Sequence, residues 1–199
     1  MKIGIDIDDT CFYTAEAMIK YADLFEKERT GIIANRDSLG LIKNRYYLKE
    51  LYGWDRATKF DYFNKYYKNV LEECSMLPDV NVIIDKLKKD GHSIHFVTAR
   101  LMNIKNCDTE KITLNSFKKN NIYYDSLDLG IQDKIPFFKE NNIELCIEDS
   151  YETCMEAEKT GIKSILMTTK MNKNIDAGKI TRVNNWNEIY EEIIKINNF

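Results

Sequence analysis

Residues Lys2 to Asp8 alternate Ile3, Ile5 and Ile7 with Gly4, Asp6 and Asp8. This period of two in β-branched side chains predicts a strand that carries both carboxylates on one side. From Tyr13 the spacing becomes helical. Ala15, Met18, Ile19, Ala22 and Phe25 form one stripe, with Thr14 as the expected N-cap and Gly31 as the stop. A loop containing Asn35, Asp37 and Gly40 follows, then two further helices over 41–51 and 56–74, the second opened by Asp55. Beyond Pro78 helices and strands take turns: a helix over 80–89 closed by Gly91, a strand over 93–97, a helix over 109–119, and a strand over 124–129. The rhythm continues with a helix from Lys134, a strand over 144–147, a helix over 151–159, a strand over 163–167 and an amphipathic helix over 186–196. Strands separated by single helices demand parallel pairing with helices on both faces, so the expected fold class is α/β, a doubly wound, Rossmann-like parallel sheet. The block 11–76 then reads as a helical domain inserted after the first strand of a core made of 1–10 and 77–199.

Composition narrows the partners more than the fold. The 199 residues are 44% hydrophobic with only 8 Gly and 2 Pro, which suits a folded globular chain rather than a disordered one. Twenty-nine Lys and Arg against 32 Asp and Glu leave a net charge of -3, so no positive field gathers a nucleic acid polymer. Apolar runs extend only a few residues, too short to span a membrane, and acidic residues interrupt the opening MKIGIDIDD where a secretory leader needs its apolar core. Five cysteines, an odd number with no CxxC pair, read as free thiols in a reducing cytoplasm.

In open parallel sheets ligands collect beyond the carboxyl ends of the strands. Here those ends carry Asp6-Ile7-Asp8-Asp9-Thr10, Thr98-Ala99-Arg100 and Glu148-Asp149-Ser150, with Lys134 opening the helix that leads into the last of them. An Asp-x-Asp alone could simply cap a helix or satisfy a turn. Converging carboxylates, however, repel one another and call for a hard cation with oxygen ligands, for which Mg2+ is the natural choice. A carboxylate aimed at phosphorus, a second one carrying a proton, and a hydroxyl and an ammonium on the phosphoryl oxygens would together make a phosphoryl-transfer site.

These residues resemble the four motifs of the haloacid dehalogenase-like phosphohydrolases: Asp6, Asp8 and Thr10 match the first, Thr98 the second, Lys134 the third and Glu148-Asp149 the fourth. Asp9 departs from the pattern, since many members carry glycine there. The resemblance implies that Asp6 attacks phosphorus to give an aspartyl phosphate, and that Asp8 protonates the leaving oxygen, later activates water and offers its backbone carbonyl to magnesium. It further implies that Asp149 completes the metal shell with Asp6 while Glu148 either joins it or holds a metal-bound water, that Thr98 and the Ala99 amide bind phosphate, and that Lys134 neutralises charge. The opening GIDIDDT and the ending Arg182 to Ile189 also resemble the 5'(3')-deoxyribonucleotidase-like group, whose members carry a short helical cap lined with aromatics.

The inserted block is dense in aromatics between Tyr46 and Tyr67. Packing of a small helical bundle accounts for most of them, leaving two or three to face a ligand such as a nucleobase. Phe12, Tyr13, Arg36 and Trp54 are the candidate substrate contacts in this cap, and a nucleoside monophosphate is the expected substrate. Three other readings stand beside it. A sugar-phosphate phosphatase or mutase would share the core, and part of the cap surface could equally serve a homodimer contact. A phospho-receiver signalling module would gather similar groups, but in a different chain order. His92 and His95 are the only two histidines in the sequence, on opposite faces of a strand, which does not suggest a transition-metal site.

Overall fold

The computed structural model describes residues 1–32 and 47–197. Among them six strands form one all-parallel sheet: β1 (Lys2–Ile5), β2 (Ser93–Thr98), β3 (Ser126–Leu129), β4 (Leu145–Glu148), β5 (Lys163–Met167) and β6 (Thr181–Val183), in the order β3-β2-β1-β4-β5-β6. β1 lies centrally, with Ile3 opposite Ile94 of β2 on one side and opposite Leu145 of β4 on the other. Strand order therefore reverses at β1, and the carboxyl ends of β1, β2 and β4 sit side by side. That is where a doubly wound sheet opens a crevice.

Helices cover both faces, as parallel pairing requires. Ile3, Ile5, Ile94 and Phe96 pack with residues of α4 (Val80–Lys89), α5 (Thr109–Lys119) and α8 (Trp186–Asn197). On the other face Val97 and Cys146 meet Phe138 of α6 (Lys134–Glu140) and Ala157 of α7 (Tyr151–Lys159). Gly4 is needed for that approach, because a Cβ at this position would lie 3.0 Å from both Ile143 and Phe138. Trp186 is fully buried and donates its indole N–H to the Thr10 carbonyl at 2.9 Å, tying the last helix to the loop after β1.

Between β1 and α4 stand α1 (Thr14–Thr30), α2 (Tyr47–Tyr52) and α3 (Arg56–Glu73). Their shared core is largely aromatic. Tyr62 is fully buried, donates its hydroxyl to the Met18 carbonyl at 2.7 Å and packs on Trp54, while Tyr66 stacks on Tyr21. Asp55 caps α3 by accepting the Thr58 N–H at 2.8 Å.

Three local expectations change. The first strand ends at Ile5, because the chain then turns: Cys11 and Phe12 donate their N–H groups back to the Ile7 carbonyl. Thr14 is not the N-cap of α1. The helix starts at Thr14, the Thr14 hydroxyl is spent on Asp8, and Asp9 Oδ1 takes the Ala15 N–H at 2.9 Å instead. β6 was not anticipated, since three residues of which only Val183 is buried are too few to make a pattern. The expected helix over 41–51 falls mostly outside the described residues, where only α2 at its end is seen.

Candidate active site

A cleft of about 1000 Å3 opens above the carboxyl ends of β1, β2 and β4, and its floor carries Asp6, Asp8, Asp9, Thr98, Lys134 and Asp149. Asp6 follows β1 directly and extends the ladder by donating its N–H to the Ile147 carbonyl at 3.0 Å, which fixes the residue against the end of β4. The Asp8 side chain lies at the same mouth two residues further on, as an extended segment allows. Asp9 adopts a left-handed backbone, φ 61°. Glycine enters that region freely and aspartate is among the few other residues that tolerate it, so the departure from glycine at this position costs the turn little.

Lys134, the first residue of α6, is buried and reaches both Asp6 Oδ1 and Glu148 Oε1 at 2.5 Å. Burial opposes its charge, but the two carboxylates outweigh that and hold the ammonium firmly protonated. Burial also pushes Glu148 up to about 7, with Asp6 adding to the effect and Lys134 opposing it. Asp149 is driven well above the carboxylate range, first by burial and then by repulsion from Asp6, Asp9 and Glu148. Asp9 itself rises to about 7, mainly through burial.

One residue of β2's end acquires a role that the sequence motif alone did not assign. Arg100 is buried and grips Asp8 with Nε 3.2 Å from both carboxylate oxygens and Nη2 2.9 Å from Oδ1. Its Nη1 donates to the Thr113 hydroxyl of α5 at 2.7 Å, so the guanidinium is oriented from both ends. Thr14 adds a hydrogen bond to Asp8 Oδ1 at 2.7 Å. Burial would raise Asp8, but Arg100 and these hydrogen bonds prevail and hold it below the usual carboxylate value. Thr98 is buried at the end of β2, where its hydroxyl oxygen accepts the Arg100 N–H at 3.3 Å, and Ala99 lines the cleft beside it.

Single ligand oxygens of Asp6, Glu148 and Asp149 lie within 4.8 Å of one another. At the floor, five carboxylates (Asp6, Asp8, Asp9, Glu148 and Asp149) face the two cations Lys134 and Arg100. The donor set is all oxygen, and the negative charge left over adds to burial in raising Asp6, Asp9, Glu148 and Asp149. Both features fit a hard divalent ion such as Mg2+.

The roof of the cleft comes from α3. Arg56, Lys59, Phe60, Phe63 and Tyr67 line it together, and the Tyr67 hydroxyl accepts the Leu101 N–H at 2.9 Å. These positions are spaced as one helical face, a signal present in the sequence that separates them from the α1-facing Tyr62 and Tyr66. Of the cap residues named from sequence, Phe12 is 1% exposed and stacks parallel to Phe117 in the main core, so it does not reach the cleft. Trp54 is likewise buried, its indole N–H donated to Glu26 Oε2 at 2.7 Å. Both are corrected as substrate contacts: their size and apolar surface are used for packing. Tyr13 is partly exposed but lines a separate, smaller depression between α1 and residues 168–173. Arg36 lies outside the described residues.

No family model matches the chain. A nucleotidase from Clostridium acetobutylicum is 30% identical over 196 residues, covering 96% of this chain and 92% of the relative. The crystal structure of a predicted phosphatase from the same species superposes with a TM-score of 0.72 at 17% identity, covering 98% of each chain. A Bacillus subtilis protein described as a HAD-hydrolase, bound to magnesium, superposes with a TM-score of 0.65 at 14% identity, covering 97% of this chain and 98% of the other.

Proposed function

We propose that this chain, which belongs to the family of the Clostridium acetobutylicum nucleotidase and to the haloacid dehalogenase-like phosphohydrolases, is a magnesium-dependent 5'-nucleotidase working through an aspartyl phosphate on Asp6. The observation that carries the reading is the meeting of Asp6, Glu148 and Asp149 within 4.8 Å beside Lys134, with Asp8 and Thr98 facing the same cleft. Helices α1 to α3 act as the cap, and residues 1–10 and 77–199 as the catalytic core.

In this mechanism Thr98, the Ala99 amide and Lys134 hold the phosphoryl oxygens, and Lys134 offsets charge on Asp6 as well. Asp6, Glu148 and Asp149, with the Asp8 carbonyl, would hold Mg2+, which supplies charge neutralisation for the phosphoryl group. An Asp6 oxygen forms a bond to phosphorus while the bond from phosphorus to the leaving oxygen breaks, and Asp8 delivers a proton to that oxygen. Asp8 then takes a proton from water, whose oxygen attacks phosphorus and releases Asp6 and inorganic phosphate. The Arg100 grip favours the ionised Asp8 that the second half requires. An arriving phosphate dianion opposes that grip and helps Asp8 carry the proton needed in the first half.

The nucleoside assignment rests on the α3 face. Phe60 and Phe63 offer rings for a base to stack upon, with Arg56 and Lys59 beside them. Such stacking is worth about 1–3 kcal/mol per base. The five cysteines are free, as expected in a reducing compartment, and no helix among the described residues is long and apolar enough to cross a membrane.

A screen of monophosphates with Mg2+ tests both layers. Nucleotides are expected to rank above hexose phosphates, and the reverse ranking removes the nucleotidase assignment while leaving the phosphatase intact. Aryl phosphate hydrolysis that survives Asp6→Asn removes Asp6 as nucleophile.

A further inference from the structure

Asp149 follows β4 at the floor of the cleft, where its carboxylate lies near those of Asp6 and Glu148. Its backbone is held from the neighbouring loop: the Asp149 carbonyl accepts a hydrogen bond from Asn172 Nδ2 at 2.8 Å.

Asn172 lies in the loop between β5 and β6 and is only 3% exposed. Its Nδ2 also donates to the Met167 carbonyl at 2.7 Å, so a single amide ties the end of β4 to the end of β5. Its Oδ1 accepts from the Thr169 N–H at 3.0 Å and from Arg182 Nη1 at 2.9 Å. All four hydrogen-bonding positions of the amide are occupied, two donors and two lone pairs. Arg182 on β6 further donates to the Ile175 carbonyl at 2.8 Å, which braces the loop from its far side. No other side chain of this size offers two donors to two carbonyls and an acceptor to two donors at once.

We infer that Asn172 is a positioning residue for the metal-binding carboxylates: by fixing the Asp149 carbonyl it sets where the Asp149 carboxylate sits, and so how tightly a divalent cation is held. The inference rests on the metal reading given above. A rotation at the Asp149 peptide would shift its carboxylate relative to those of Asp6 and Glu148, which now lie within 4.8 Å. Arg182 acts on the same position through Asn172.

Titration of the purified full-length chain with Mn2+, followed calorimetrically, tests this without any substrate. Asn172→Leu keeps the branched outline, with bulkier methyl ends, and removes all four hydrogen bonds, and is expected to weaken Mn2+ binding about 10–100-fold, the range seen when the groups that orient metal ligands are lost. Arg182→Met leaves both Nδ2 bonds in place and is expected to weaken binding by at least about threefold. Melting in EDTA provides the control, since a merely structural role would lower the melting temperature and leave the Mn2+ affinity unchanged. That outcome overturns the inference. Should Asn172→Leu fail to fold, an unchanged affinity in Arg182→Met overturns it equally. A parent protein that binds no divalent cation, or one whose affinity is untouched by Asp149→Asn, refutes the metal reading itself.

Discussion

Replacing Lys134 with methionine removes one ammonium and keeps the length of the stem. In the parent that ammonium sits 2.5 Å from Asp6 and 2.5 Å from Glu148, with all three side chains 8% exposed or less. Deleting one partner of a buried ion pair leaves an uncompensated charge and costs about 3–5 kcal/mol. In Lys134→Met the two carboxylates can relieve part of this by taking up protons. Glu148 already holds its proton to about 7 with Lys134 present, and it rises further without it. A proton bound by the folded variant and absent from its unfolded chain makes stability fall as pH rises. The deficit against the parent is therefore largest at high pH. It shrinks as pH drops toward about 7, by up to about 1.4 kcal/mol per pH unit for each carboxyl that holds a proton in the variant alone, and levels off below about 7, where Glu148 is protonated in the parent too. Urea denaturation in EDTA at pH 8 and pH 5.5, followed by the fluorescence of buried Trp54 and Trp186, measures both numbers. A deficit below about 1 kcal/mol at pH 8, or one that does not change with pH, would show that Lys134 is not the counter-charge of this site.

Two further outcomes follow from the same electrostatics. Arg100→Leu removes the guanidinium that holds Asp8 down, while its burial remains. The acid limb of the kcat–pH profile is expected to move up by about 1–3 units, the usual influence of an adjacent opposite charge, and an unmoved limb would remove Asp8 from the rate-controlling titration. In EDTA the parent itself should lose melting temperature as pH rises from about 4 to about 8. Folded Glu148 and Asp9 keep their protons to about 7, whereas the unfolded chain releases them near the ordinary values of 4.5 and 3.8. Saturating Mg2+ should flatten that decline, and a melting temperature that climbs with pH in EDTA would contradict the assigned shifts.

Much of this molecule could be read along the chain because the relevant signal is local. The alternation of Ile3, Ile5 and Ile7 and the helical stripes after Pro78 reflect which side of each element meets an apolar layer, and that is a property of neighbouring residues. Parallel pairing followed from the alternation of element types. Asp6, Asp8, Lys134, Glu148 and Asp149 stood at element ends, where a doubly wound sheet exposes its chemistry, so they could be singled out before any contact was known. The crowded aromatics of α3 were equally visible, and so was their helical spacing.

What the chain alone left open were choices between partners far apart in sequence. Whether an aromatic of the cap packs or faces the cleft depends on how the helices meet, and only their packing decides that Tyr62 and Trp54 are interior, that Phe60 is exposed, and that Phe63, though buried among them, also lines the cleft. Phe12 lies close to the acidic motif in sequence yet belongs to the main core, because the turn after Ile7 directs its ring onto Phe117. Thr14 resembled a helix cap until Asp8 claimed its hydroxyl. Arg100 and Asn172 act through residues 92 and 23 positions away, respectively. Periodicity records burial one residue at a time, whereas a buried hydrogen bond or ion pair depends on two side chains that only the closed sheet brings within about 3 Å.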